Sequence, residues 1–176
     1  GIAPFSTTGI GSLPLKDPAE AAMLVLASFD IPFWPQLPKA SFLEQMIPQY
    51  SEGMPGIRID TEKERVWVER DDGEIERFHS EHGENASIAV SERFSAGFPA
   101  FINAIKGRRF RILKGHITGP LTFTLGLNDK AGRPVYFDEE LREISLMLLQ
   151  AKARYQIDAL RAYADNVIIF IDEPIL

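Results

Sequence analysis

The chain has 176 residues, 45% of them hydrophobic and 25% charged, enough for one domain with a sizeable core. Its net charge of -6 gives no electrostatic reason to expect nucleic acid or an anionic membrane surface as a partner. Cysteine is absent, which excludes disulfides, thiolate metal sites and a cysteine nucleophile within the chain; cytoplasm is the default expectation for its location. The first element, Phe5 to Pro14, is a short β-type run that dissolves into glycines and a proline. Asp17 and Pro18 supply a cap and a first-turn proline for a helix reaching Phe29. Asp30 to Pro38, proline-rich yet apolar, reads as a second short strand, in which Phe33 and Trp34 either line a pocket wall or pack into the core. Ser41 and Glu44 form a capping box for a helix through Met46.

From residue 57 to residue 78 the pattern changes to alternation. Ile57 to Asp60, Arg65 to Arg70 and Glu74 to Phe78 read as strands, with Asp72-Gly73 as a two-residue hairpin turn. Helical spacing resumes over residues 91–106 with a bend expected at Pro99, and Phe110 to Pro120 is a third core strand with its exit loop. Asp138 opens a long helix to about Asp165. That helix leads into Val167 to Ile171, an unbroken apolar run of the kind buried on both faces of a parallel sheet. No apolar run approaches the roughly 20 residues of a membrane span.

Helices recurring between parallel-type strands argue an α/β fold, and the count matches about the first four βα units of a (β/α)8 TIM barrel with an inserted antiparallel hairpin. Residues 1–176 then form the N-terminal half of one barrel domain, with open sheet edges that invite a homodimer. In such folds ligands gather at the carboxyl ends of the strands, where Asp172 and Glu173 stand; the alternative is that Asp172 caps the turn before Pro174. His116 and Thr118 end the third strand, His116 being either a general acid or a rim histidine. His79 and His82, with Glu81 and Glu84, have metal-ligand types but sit in a polar segment, and the basic run from Lys106 to Arg111 reads as a solvated helix exit. No Gly-x-Ser-x-Gly elbow, phosphate-binding Gly-Lys-Ser/Thr or His-Glu-x-x-His occurs, so hydrolase, NTPase and zinc-protease readings have no support.

Three of these loops carry a resemblance. Ser6-Thr-Thr-Gly-Ile-Gly-Ser-Leu-Pro14 resembles the Thr-Thr-Ile-Gly-Ser-Phe-Pro signature of cobalamin-independent methionine synthase. Lys114-Gly-His-Ile-Thr-Gly-Pro-Leu-Thr122 resembles its Lys-Gly-Met-Leu-Thr-Gly-Pro-Val-Thr, and Ile171-Asp-Glu-Pro-Ile-Leu176 its Ile-Asp-Glu-Pro-Ala-Leu. The resemblance implies a methyltransferase that moves a methyl group onto a zinc-activated thiol such as homocysteine, with a methylfolate or a methylated corrinoid protein as donor. It implies that Ile10, Gly11 and Ser12 hold the amino-acid part of the acceptor and that Asp172 contacts the same substrate. Gln36 stands where the family has the glutamate of a His-Gly-Glu, and the family's Ser-Arg-Cys segment has no counterpart. The family's zinc ligands lie beyond Asp-Glu-Pro, so zinc is expected in the full-length protein and not in this chain, which alone is expected to be inactive. A uroporphyrinogen decarboxylase-like enzyme is the alternative, although residues 6–38 lack the arginines of its first loop. A third reading is a non-catalytic half-barrel acting as a binding module. On the first reading Ile10, Gly11, Ser12 and Asp172 meet in one pocket.

Overall fold

The computed structural model describes residues 4–176 except Glu84. Among these residues, extended segments and helices alternate along most of the chain. Residues 6–12 and 31–36 lie side by side in parallel, joined by Ile31 N to Thr7 O (3.0 Å), Gln36 N to Gly11 O (3.0 Å) and Leu13 N to Gln36 O (2.9 Å). Between them runs helix α1 (Pro18–Ser28), which Asp17 caps by accepting from the amides of Ala19 and Glu20. The second segment continues in parallel onto the next strand through Lys114 N to Pro32 O at 2.9 Å. Counting only the regular elements, that strand is β3 (Phe110–Thr118), paired in parallel with β4 (Ala164–Asp172). Four extended segments of one polarity therefore stand in chain order, and their carboxyl ends share one rim. The two N-terminal segments form bridges rather than full ladders because Pro14, Pro32 and Pro35 withhold amide donors.

Between the second segment and β3 lies an excursion. Helix α2 (Met46–Ser51) precedes the antiparallel pair β1 (Ile57–Asp60) and β2 (Arg65–Val68). The expected hairpin of residues 57–78 is thus shorter, turning at residues 61–64. Asp72-Gly73 is not a hairpin turn; it opens helix α3 (Asp72–Glu81). Asp71 caps that helix by accepting from Glu74 N at 2.9 Å, and the buried Ile75 and Phe78 are three residues apart, a helical and not a strand spacing. Gly56 at the foot of β1 has φ +71°, and a Cβ there would lie 2.2 Å from the carbonyl oxygen of Glu69, so the closure of the hairpin requires glycine. The Ser41–Glu44 capping box is also altered. Ser41 Oγ accepts from Leu43 N at 3.1 Å above a single 3₁₀ turn, while the Glu44 carboxylate turns inward.

Helix α4 (Gly97–Ile105) starts later than its apolar periodicity suggests, because Pro99 is accommodated in its first turn, and it packs on α1. After β3 come the short α5 (Pro120–Gly126) and the long α6 (Glu139–Arg161), whose cap Asp138 accepts from Leu141 N at 3.1 Å. Leu141, Ile144, Leu148 and Leu160 carry the buried stripe of α6 onto β3 and β4. One core cluster joins Phe33, Trp34, Phe98, Phe101, Leu113 and Leu160; a second joins Tyr50, Phe78, Ile117, Phe123 and Leu148 and ties the excursion to the sheet. The terminal strand was expected to be buried on both faces, and it is not. Among the described residues β3 covers one edge of β4 and no strand covers the other, leaving Phe170 and Ile171 39% and 61% exposed. No helix among the described residues is long and apolar enough to cross a membrane.

Candidate functional site at the strand ends

The carboxyl ends of the four segments bring Ile10, Gly11, Ser12, Gln36, His116, Thr118 and Asp172 to one rim, which the side chain of Lys114 reaches from the middle of β3. Lys114 does most to connect them. Its Nζ donates to Ile10 O at 2.7 Å and lies 4.9 Å from the Phe33 ring centre and 4.4 Å from that of Phe170. Burial lowers its pKa to about 8, against the pull of the Asp172 carboxylate. Asp172 therefore acts on an ammonium that is bonded to the first segment. Its own carbonyl accepts from Gly119 N at 2.7 Å, holding the end of β4 to the exit of β3.

Ser12 is oriented from beneath. Its hydroxyl donates to Gln36 Oε1 at 2.8 Å, while Gln36 Nε2 donates to Glu44 O and to Gln49 Oε1, each at 3.0 Å. Gln36 is 5% exposed, and both its amide hydrogens are committed. In this geometry the Gln36 side chain positions Ser12. Glu44 in turn accepts from Leu37 N at 3.0 Å and Ala96 N at 3.2 Å; burial raises its pKa in spite of those two bonds. Thr118 Oγ1 donates to Met46 O at 3.2 Å, which fixes the start of α2 beside β3.

His116 is 4% exposed and stacks on Trp34 with ring centres 3.9 Å apart. On its other side is Gly11, where a Cβ would come within 2.7 to 2.9 Å of Cε1, Nδ1 and Nε2. Nearly equal distances to all three atoms put Gly11 over the ring face, so any larger residue would displace the imidazole. Neither ring nitrogen has a hydrogen-bond partner, and burial followed by the Lys114 charge pushes the pKa well below the ordinary histidine value. The His116 backbone, in contrast, is fully held. Its N–H donates to Gln156 Oε1 at 3.1 Å, and its carbonyl accepts from Gln156 Nε2 at 2.9 Å and from the Tyr50 hydroxyl at 2.5 Å. Gln156 reaches the strand because Gly115 leaves it room: a Cβ there would meet Oε1 at 2.5 Å.

Glu173, grouped with the rim by sequence, is engaged elsewhere. Its carboxylate accepts from Leu121 N (2.9 Å), Thr122 N (2.8 Å) and Thr122 Oγ1 (2.7 Å), capping α5. Burial pushes its pKa up, but the bonds from Thr122 and Leu121 outweigh that and hold it low. His79 and His82 do not converge. His79 Nε2 lies 4.0 Å from a Glu140 oxygen, His82 stacks on Phe78, and Glu84 is outside the described residues. In the basic run, Arg109 pairs with Asp165 at 2.9 Å and Arg108 covers the Phe110 ring. Among the described residues no three His, Cys, Asp or Glu side chains are grouped to hold a metal ion, so a zinc centre does not fit the residues present.

Lys114 and Gln156 were missed as site residues by sequence reasoning. The signals were a lysine inside the apolar strand from Phe110 to Thr118 and a glutamine on the buried stripe of α6 opposite a strand glycine. A concavity of about 670 Å³ lies to one side, lined by Met46, Trp67, Asn128 and Lys130 among others, whereas the strand-end group faces outward through Ile10 and Ser12. Comparison with protein-family models, curated proteins and solved structures finds no match to this chain.

Proposed function

We propose that the chain is about the first half of a (β/α)8 barrel of the cobalamin-independent methionine synthase type, and that its strand ends hold the methyl acceptor, a small amino-acid thiol such as homocysteine. What supports the reading is one observation: the three loops that resemble the family come to the same rim of four parallel segments, linked through Lys114. The chemistry at that rim suits a zwitterion. The turn at residues 10–12 offers backbone amides to a carboxylate, and Asp172 offers a carboxylate to an ammonium group. The methyl donor in this reading is a methylfolate or a methylcorrinoid protein. Thiol activation is assigned to none of the described residues, since they form no zinc site.

Calorimetric or NMR titration with L-homocysteine and with 4-mercaptobutyrate, which lacks the ammonium group, tests the assignment. Asp172→Asn is expected to weaken homocysteine about tenfold or more, the value of a charge-assisted hydrogen bond, and to affect 4-mercaptobutyrate much less, since that ligand feels Asp172 only through Lys114. Absence of homocysteine binding, or equal weakening of both ligands, would overturn it.

A further inference from the structure

One side chain holds the rim together. Lys114 projects from β3, bonds the carbonyl of Ile10 in the first segment, lies against Phe33 of the second and Phe170 of β4, and sits in the field of Asp172. It is 0% exposed, so it reaches a ligand only through what it holds. We infer that Lys114 is a positioning residue: its ammonium clamps the turn of residues 10–12 against the other three segments and so sets the shape of the surface that receives the ligand. The inference rests on the reading of that turn as the ligand-holding element.

The clamp depends on charge. An ammonium bonds a carbonyl more strongly than a neutral amine does, and only the ammonium is attracted to the faces of the two phenylalanine rings. Among the described residues the groups facing it are few. Asp172 on β4 favours the charged form and His116 on β3 is held neutral, while the first two segments contribute the Ile10 carbonyl and the Phe33 ring. With the amine deprotonating near pH 8, the clamp is closed at neutral pH and slackens in mild alkali. His116 packs against Gly11 beside it, so a slackened turn also loses its register on the imidazole face.

The carbonyl carbon shift of Ile10, followed by NMR from pH 6.5 to 10, reads the clamp without any ligand. The expected result is a titration with midpoint near 8 in the wild type, none in Lys114→Arg, which stays charged, and none in Lys114→Met, which has no donor and should sit at or beyond the wild type's alkaline limit at every pH. L-Homocysteine affinity measured in parallel should fall about tenfold between pH 7 and 9.5 in the wild type relative to Lys114→Arg. Comparing variants at each pH cancels the titration of the ligand itself. A flat Ile10 signal in the wild type, or homocysteine binding that ignores Lys114→Met, would overturn the clamp. If the Ile10 signal titrates as expected but homocysteine binds no variant, the clamp stands and the acceptor assignment falls. Should Lys114→Met fail to fold, the wild-type and Lys114→Arg titrations still decide.

Discussion

His116 shows how one residue can be well packed and poorly satisfied. Trp34 and Gly11 cover its two faces, yet neither ring nitrogen finds a partner, a desolvation cost that the neutral ring tolerates and a charged ring would not. The consequence for stability has a definite sign. Above about pH 6.5 the imidazole is neutral in both folded and unfolded chains and contributes no pH dependence. As the pH falls below 6.5 the unfolded chain takes up a proton that the folded chain refuses, so stability is lost, at up to about 1.4 kcal/mol per pH unit, until the lowered folded-state pKa is passed. His116→Met supplies an adaptable apolar side chain with no titrating group and should remove this component. Urea unfolding at pH 7.5 and 5.5 checks it: the wild type should lose more stability between the two than the variant does. Equal losses would show that His116 is protonated in the fold.

At the scale of elements, legibility followed how local the determining interactions are. The caps at Asp17 and Asp138 and the apolar stripe of α6 act within a few residues, and they could be read from the sequence. Alternation misled between residues 72 and 78, because Asp72-Gly73 is both a hairpin signal and an acidic first helical turn. Only the three-residue spacing of Ile75 and Phe78 tells them apart. The site residues named from loops do reach one rim, but the roles of Gln36, Lys114 and Gln156 depend on partners up to 122 residues apart, such as Trp34 Nε1 donating to Gln156 Oε1, and no local pattern carries that. Glu173 is the clearest case of an element-level role. Its two oxygens serve the start of the seven-residue α5, which has no side-chain cap from its own N-cap residue, Gly119. Glu173→Ala should therefore destabilise by about 0.5–2 kcal/mol, and Glu173→Gln, which keeps an acceptor, by less. Thermal unfolding of both variants measures this, and a Glu173→Ala protein as stable as the wild type would mean that the cap contributes nothing.

The whole molecule presents a contrast between its two sheet faces and its two sheet edges. Helices α1, α4 and α6 bury one side of the parallel segments, whereas the end of β4 leaves Phe170 and Ile171 39% and 61% exposed, and Ile175 and Leu176 after it are 52% and 90% exposed. Edge strands are ordinarily blunted by lysine, proline or a bulge, yet residues 167–171 contain none of the first two and pair in unbroken register with β3. At about 25 cal/mol per Å², a few hundred Å² of such surface is worth several kcal/mol, enough to compete with the entropy of association when two copies fit. The edge of the first segment runs in the same direction as β4, so in a pair of copies β4 of one would meet the first segment of the other in parallel, and the two together would supply the eight strands at which a parallel barrel closes. The expected behaviour of the purified chain is thus a concentration-dependent dimer in sedimentation velocity. Ile171→Lys places a charge on the exposed edge without touching the buried stripe of α6, and should yield a monomer with unchanged circular dichroism. A wild-type monomer at tens of micromolar would refute the pairing, and a dimer that survives Ile171→Lys would place the contact on some other surface of the molecule.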